Sequence, residues 1–176
     1  MKRAITAFSV AALFLIFSHA TFAAAPDFSG FWTLDRTNSK VVPPKMSQTM
    51  TVCQTGDKIT FETDLVSGGR VMQTVFAAYT LDGRETEFDL RTPNGIVIGK
   101  RAARRTVDGI ELEEAAIFDT PGGKVTVRAT HRWMLSADGK TLEIETTVQN
   151  SSGTEQTRRV FKKGEKPGIR VYFISN

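Results

Sequence analysis

Residues 124–150 read KVTVRATHRWMLSADGKTLEIETTVQN. On either side of the Asp138-Gly139 pair, apolar and polar residues alternate one by one. Such alternation indicates β-strands that bury one face and expose the other to water. Aspartate followed by glycine is typical of a tight turn, because both residues tolerate positive φ. The stretch therefore predicts a β-hairpin with strands over 124–136 and 141–149.

The same pattern extends in both directions along the chain. Turn signals containing glycine recur roughly every 12–16 residues, which is about the length of one strand and one turn. No segment beyond the first 25 residues has a convincing helical period. The predicted strands cover residues 28–36, 46–54, 58–66, 70–80, 84–91, 95–106, 110–119, 124–136, 141–149 and 154–163.

A flat antiparallel meander of this size would leave two long edges exposed, and closing it into a barrel removes them. We therefore expect an all-β fold, namely a single antiparallel up-and-down β-barrel of about 8–10 strands with little helix. Nearest-neighbour hairpins favour this barrel over the alternative, a sandwich of two sheets. The barrel is expected to cover residues 26–163. For the tail, residues 164–176, a short extra strand and disorder are both open expectations.

The first 25 residues are expected to be a signal peptide. Lys2 and Arg3 precede a short apolar run, and small residues then offer cleavage after Ala23 or Ala25. That order is typical of a secretory signal, and the apolar run is too short to span a membrane comfortably. We therefore expect a bacterial protein that is periplasmic or secreted, without a stable membrane anchor after cleavage.

Charge and cysteine content exclude several classes of function. The net charge of +4 includes two positive residues of the predicted signal peptide, so the mature chain is only weakly basic. No long block of like charges indicates a nucleic-acid partner. Cys53 is the only cysteine, and nothing near it in sequence would lower its pKa, so we expect a packed residue and not a nucleophile.

The opening Asp27-Phe28-Ser29-Gly30-Phe31-Trp32-Thr33-Leu34 resembles the G-x-W motif of the calycin superfamily, the lipocalins and fatty-acid-binding proteins. The Arg132–Leu142 hairpin and the final residues of the last long strand, Val160-Phe161-Lys162, extend this resemblance. With them, the whole mature chain is similar to small exported bacterial proteins with a lipocalin-like fold and unsettled activity. The resemblance implies that Gly30 permits a close approach at the start of the first strand. It also implies that Trp32 plugs the closed end of the barrel.

The resemblance also bears on the last strand. Residues 157–162 are similar to the R-x-Y strand of the fatty-acid-binding proteins, with Phe161 where tyrosine would stand. Arg159 and Phe161 are then expected to point inward and Arg158 outward. In these families a basic residue of this strand often lies across the tryptophan as a cation–π contact. Arg170, before Val171-Tyr172, is a second candidate for the inward arginine.

Strand phase supplies the remaining candidate site residues. The ligand-binding set comprises aromatic, apolar and a few polar residues expected to face the interior: Arg159, Phe161, His131, Trp133, Phe61, Tyr79, Ile98 and Phe118. Ile96, Lys100 and Glu114 are expected to share this inward phase. Because a buried charge needs a partner, Arg159 would pair either with Glu114, a structural use, or with a ligand carboxylate. We predict no catalytic residue, metal site or cofactor.

These features lead to one main hypothesis and two alternatives. The main hypothesis is an exported binding protein that holds a small hydrophobic or amphipathic ligand, of the lipid or fatty-acid class, in the barrel. The first alternative is a filled barrel that binds another protein of the cell envelope. The second is a haem-binding or enzymatic barrel centred on His131. The apolar inward residues are typical of both a cavity and a solid core, so the sequence leaves this choice open.

Overall fold

The computed structural model describes residues 25–40, 45–92 and 95–165, and this part of the chain is all β. Ten antiparallel strands confirm the predicted all-β up-and-down fold. They are β1 (Gly30–Leu34), β2 (Met46–Thr55), β3 (Lys58–Ser67), β4 (Arg70–Thr80), β5 (Thr86–Thr92), β6 (Gly95–Arg105), β7 (Gly109–Thr120), β8 (Gly123–Leu135), β9 (Thr141–Asn150) and β10 (Gly153–Gly164). The predicted signal peptide and nearly all of the tail, including Arg170, lie outside the described residues.

The ten strands form one curled sheet in the order β4-β3-β2-β1-β10-β9-β8-β7-β6-β5. All neighbours in this order are hairpin partners except β1 and β10, which pair in antiparallel register from Phe31 with Gly164 to Leu34 with Phe161. The first and last strands therefore meet, as an up-and-down barrel requires. No helix of the described residues is long and apolar enough to cross a membrane.

The curled sheet does not close completely, because no ladder joins β4 to β5. We call this gap the seam. At one end it is bridged through the loop after β4, where the Gly83 amide donates to the Ala103 carbonyl at 2.8 Å. Arg105 also donates to the Gly56 carbonyl at 2.8 Å and lies 3.3 Å from Asp57. These contacts tie the β4–β5 loop and the β2–β3 turn to β6, so the two edges face each other without pairing.

One end of the barrel is filled by large side chains. The β2–β3, β6–β7 and β8–β9 turns and the start of β1 all lie at this end. The fully buried large residues belong to the segments around it, and they are Trp32, Phe28, Phe161, Ile59, Ile110, Leu112 and Leu142. Toward the opposite end, the first half of β4 and much of β5 are exposed. The barrel is therefore a cup with a solid base and an open mouth.

The inward face of β6 differs from the sequence prediction by one residue. Arg101 pairs with Glu114 of β7 and Ala103 with the buried Leu112, so Arg101 and Ala103 face inward. Ile98 lies on the opposite face and is 56% exposed. The prediction that Ile98 faces the interior is therefore wrong. The error arises because residues 96–98 are three consecutive apolar residues, and without alternation the sequence does not show which of them is buried.

The predicted inward orientation is also wrong for two residues near Ile98 on β6. Lys100, also predicted to face inward, points outward, and its Nζ lies 2.7 Å from Glu85 Oε1. Ile96 is 60% exposed. Gly99, between them, faces inward, and a Cβ built there would lie 2.5 Å from the Phe88 ring. The missing side chain of Gly99 therefore leaves the space that Phe88 occupies on the inner face of the seam.

Candidate functional site

Above the filled base lies a cavity of about 220 Å³, lined by seven of the ten strands. It is smaller than the roughly 300–1,000 Å³ typical of pockets for drug-sized ligands. A ligand enclosed here is therefore small, or extends beyond the cavity toward the open mouth. The lining residues are Gln48, Met50, Phe61, Thr63, Val75, Ala77, Tyr79, Leu112, Glu114, His131, Trp133, Ile144, Thr146, Arg159 and Phe161.

Three aromatic rings form a continuous apolar wall. Phe61 stacks on Tyr79 with ring centres 5.8 Å apart and packs against Trp133 at 5.0 Å. Trp133 in turn meets Phe28 of the base edge-on at 6.0 Å. Contacts of this kind hold aromatic rings in fixed orientations. The wall therefore offers a preorganised apolar surface to the body of a ligand.

Arg159 brings the main positive charge into this cavity. Its neighbours in the strand sequence, Arg158 and Val160, lie on the other face of β10, because side chains alternate along a strand. Arg158 ion-pairs with Glu143, whereas Arg159 is half-buried and makes no hydrogen bond or ion pair with any residue that the structure describes. A guanidinium in an apolar cavity without a partner can accept an oxyanion through a bidentate, charge-assisted contact.

The partner of Glu114 is Tyr79, and not Arg159, the partner considered from the sequence. The Tyr79 hydroxyl donates a short hydrogen bond to Glu114 Oε1. Burial raises the pKa of the Tyr79 phenol, and the nearby Glu114 carboxylate raises it further, so the phenol stays protonated and acts as donor. No ion pair forms between Glu114 and Arg159 among the described residues. The structural pairing of Arg159 with Glu114 is therefore not the arrangement found.

His131 lies on the cavity wall with its Nδ1 3.0 Å from the Thr146 hydroxyl. Burial lowers the pKa of His131 below its ordinary value, Glu114 opposes this, and Arg159 adds to the lowering. His131 is therefore neutral near pH 7. Within the described residues, no group of three or more His, Cys, Asp or Glu side chains is placed to hold a metal ion.

The base of the cup is organised around Trp32, which is fully buried. Its indole Nε1 donates to the Phe28 carbonyl at 2.9 Å, and the Lys163 Nζ lies 5.3 Å from its ring centre. Gly30 has a φ of +146°, and a Cβ there would approach Lys163 Cε to 2.6 Å. Lys163, and not Arg159, thus supplies the cation over Trp32, which leaves Arg159 for the cavity.

The structure brings most of the predicted ligand-binding set together. Arg159, Phe161, His131, Trp133, Phe61 and Tyr79 all line the one cavity. Ile98 is on the outer face, as described above. Phe118 shares the inward phase of β7 but lies two positions beyond Ala116, toward the mouth, and does not line the cavity.

Sequence reasoning missed the role of Arg101. Its guanidinium carbon lies 5.0 Å from the Tyr79 ring centre and 5.3 Å from that of Phe88, so the side chain spans the inner face of the seam. In the sequence Arg101 belongs to a basic run, residues 100–105, that is typical of a solvated strand. A strict count of alternation backward from Ala103 would have placed it inward, but the consecutive apolar residues upstream concealed that phase.

Comparisons with known proteins find similarity among solved structures. No protein-family model matches the chain, and no curated protein is significantly similar to it. A crystal structure of zebrafish ileal bile acid-binding protein complexed with cholic acid is similar at 17% sequence identity and a TM-score of 0.47. The match covers 78% of this chain and 98% of the neighbour. The cholic acid belongs to that protein; the curled up-and-down architecture of this chain follows from its own strand order.

Proposed function

We propose that the protein is an exported carrier for a small amphipathic molecule with one carboxylate, of the lipid or fatty-acid class. The observation that carries the proposal is Arg159, a half-buried guanidinium in an aromatic-lined cavity with no partner among the described residues. Leaving a charge unpaired in an apolar setting is costly, and a bound carboxylate removes that cost.

The charges around the cavity favour a monoanion. Arg159 is the one cation among its lining residues, and His131 is neutral. One carboxylate would balance this single positive charge. Since Glu114 is engaged by the Tyr79 hydroxyl, Arg159 is the group that faces an incoming anion.

The aromatic wall supplies the apolar part of recognition. Burying apolar ligand surface contributes roughly 25 cal/mol per Å² before the costs of association. Phe61, Tyr79 and Trp133 are already packed in place, so a ligand would not have to order them. The apolar body would lie against these rings while the carboxylate meets Arg159.

Displacement of a fluorescent fatty acid from delipidated protein tests the proposal. Arg159→Gln should weaken probe binding about tenfold or more, as expected for loss of a charged hydrogen bond. Arg158→Gln, one residue away on the outer face, is the matched control and should bind normally. A wild-type protein that takes up no probe, or an Arg159→Gln variant that binds as well as wild type, would refute it.

The interaction module is the second candidate, and one surface favours it. Phe76 is 68% exposed and Ile98 56%, and both lie on the outside of the barrel beside the seam. Ile117, 54% exposed, lies on β7, the strand next to that of Ile98. Apolar patches of this kind often mark protein contacts. If the Phe76→Ser, Ile98→Ser double variant still takes up fatty acid, the carrier function is supported. If neither wild type nor this variant takes up fatty acid, the interaction module is favoured.

A further inference from the structure

The seam carries a second feature that the cavity does not use. Near the filled base, a cleft of about 400 Å³ opens at the seam, between β3 and β4 on one side and β5 and β6 on the other. Tyr79 lines both this cleft and the inner cavity, so its ring is the wall between them. We call this space the seam cleft.

The side chains of the seam cleft are those of an anion site. Three cations line it, Lys58, Arg84 and Arg101, against a single carboxylate, Glu87. Arg84 is 86% exposed and only loosely paired with Asp82, at 3.8 Å. Of the threonines in the same lining, Thr60 donates to the Cys53 carbonyl and Thr86 to the Arg101 carbonyl, each at 3.5 Å. The lining therefore carries an excess of positive charge that its own carboxylate does not balance.

Arg101 is the fixed element of this lining. Its guanidinium is stacked between Tyr79 and Phe88, which sets its orientation. Its Nε is buried and has no hydrogen-bond partner among the described residues, although buried polar atoms normally have one. Glu114, its cross-strand neighbour, is engaged by Tyr79 instead. The arrangement holds a guanidinium in place without satisfying it.

We propose that the seam cleft is an anion-binding site, distinct from the Arg159 cavity, that takes a phosphate or sulfate group on Arg101 with Lys58 and Arg84 closing over it. Three cations against one carboxylate suit a tetrahedral oxyanion, which has more acceptor oxygens than a carboxylate. The cleft is larger than such an anion, so the group can be a free ion or the headgroup of a larger molecule. The site does not depend on the proposed carrier function.

Calorimetric titration of the purified protein with inorganic phosphate in low-salt buffer is the first arm of the test. Arg101→Gln should weaken phosphate binding about tenfold or more. Lys58→Ala combined with Arg84→Ala, two exposed positions, should weaken it several-fold without affecting the fold. Lys124→Ala is the matched control, because Lys124 is equally exposed but lies at the β7–β8 turn, and it should bind as wild type does.

The second arm separates a free anion from a headgroup. Lysophosphatidic acid is compared with a monoacylglycerol of the same chain length in wild type and Arg101→Gln. Phosphate binding without a preference for lysophosphatidic acid over the monoacylglycerol assigns the site to free anions, and phosphate binding that is unchanged in Arg159→Gln places the site outside the Arg159 cavity. A preference for the phospholipid that disappears in Arg101→Gln assigns it to headgroups.

Two results would overturn the proposal. One is an Arg101→Gln protein that is folded by circular dichroism and binds both phosphate-containing probes as wild type does. If Arg101→Gln does not fold, the second result decides: the Lys58→Ala, Arg84→Ala protein binds both probes as wild type does. If phosphate binding is absent while fatty-acid binding is intact, only the seam-cleft proposal is refuted. If fatty-acid binding is absent while phosphate binding is intact, only the carrier function is refuted.

Discussion

Replacing Arg159 by methionine should stabilise the ligand-free protein, although most substitutions of partly buried residues destabilise. Arg159 has no described partner, and an unpaired buried polar group costs about 1–3 kcal/mol, more when it is charged. Half-burial lets water reach part of the guanidinium, and the nearby Glu114 offsets some of the cost. We therefore expect Arg159→Met to raise the free energy of unfolding by about 1–2 kcal/mol.

The adjacent Arg158 provides the opposite expectation from the same strand. Its guanidinium ion-pairs with Glu143 through two hydrogen bonds and donates to the Asn38 carbonyl at 2.9 Å. Arg158→Met should therefore lower the free energy of unfolding.

Urea unfolding of delipidated protein at pH 7, followed by tryptophan fluorescence, measures both variants. In a thermal scan the Arg159→Met gain corresponds to a rise in Tm of about 2–8 °C for a chain of this size. If Arg159→Met destabilises the protein as much as Arg158→Met does, Arg159 has a structural partner and the reasoning that reserves it for a ligand is wrong.

Three further predictions concern pH, the closed end and strand packing. Because burial lowers the pKa of His131 in the folded state, the unfolded chain takes up a proton first as the pH falls below about 6.5. The free energy of unfolding should then decrease toward pH 5.5, by no more than about 1.4 kcal/mol per pH unit, and His131→Gln should remove this slope in urea titrations. Trp32→Phe leaves the buried Phe28 carbonyl without its hydrogen-bond donor and should lower the free energy of unfolding by about 2–4 kcal/mol. A thermal scan measures this loss, and an unchanged Tm would contradict the role of Trp32 as the plug. Gly109→Ala places a Cβ 1.8 Å from the Trp133 carbonyl oxygen, so the strands must separate and urea unfolding should show a loss of about 2–3 kcal/mol; a tolerated alanine would mean that this approach is looser.

The strands were predictable because alternation reports burial directly. From β7 to β9 one face of each strand is mostly apolar and the turns carry glycine, so both the elements and their inward residues follow from local pattern. The meeting of β1 with β10 also followed, since it is the closure that the edge argument requires.

The parts that escaped prediction depend on tertiary geometry. The phase of β6 was hidden by three consecutive apolar residues, so Ile98 was placed inward. The choice between Lys163 and Arg159 as the cation over Trp32 is set by the register of β10 against β1, which no local pattern encodes. The partner of Glu114 is Tyr79, a residue 35 positions away, and the two meet only because the sheet curls.

The incomplete closure of the barrel has the same origin. Edge-strand logic predicts a closed barrel, yet the loop after β4 is bonded to β6 and not to β5. Side chains of Tyr79, Arg101 and Phe88 fill the inner face of the gap instead of a hydrogen-bond ladder. Aromatic and cationic side chains can therefore replace a strand pair at one position of a curled sheet.

The most direct test of a carboxylate site in the cavity compares decanoate with decanol by calorimetry, in wild type and in Arg159→Gln. Wild type should bind the acid about tenfold or more tightly than the alcohol, and Arg159→Gln should bind the two equally. Equal affinity of wild type for acid and alcohol, or a preference for the acid that survives Arg159→Gln, would contradict the account.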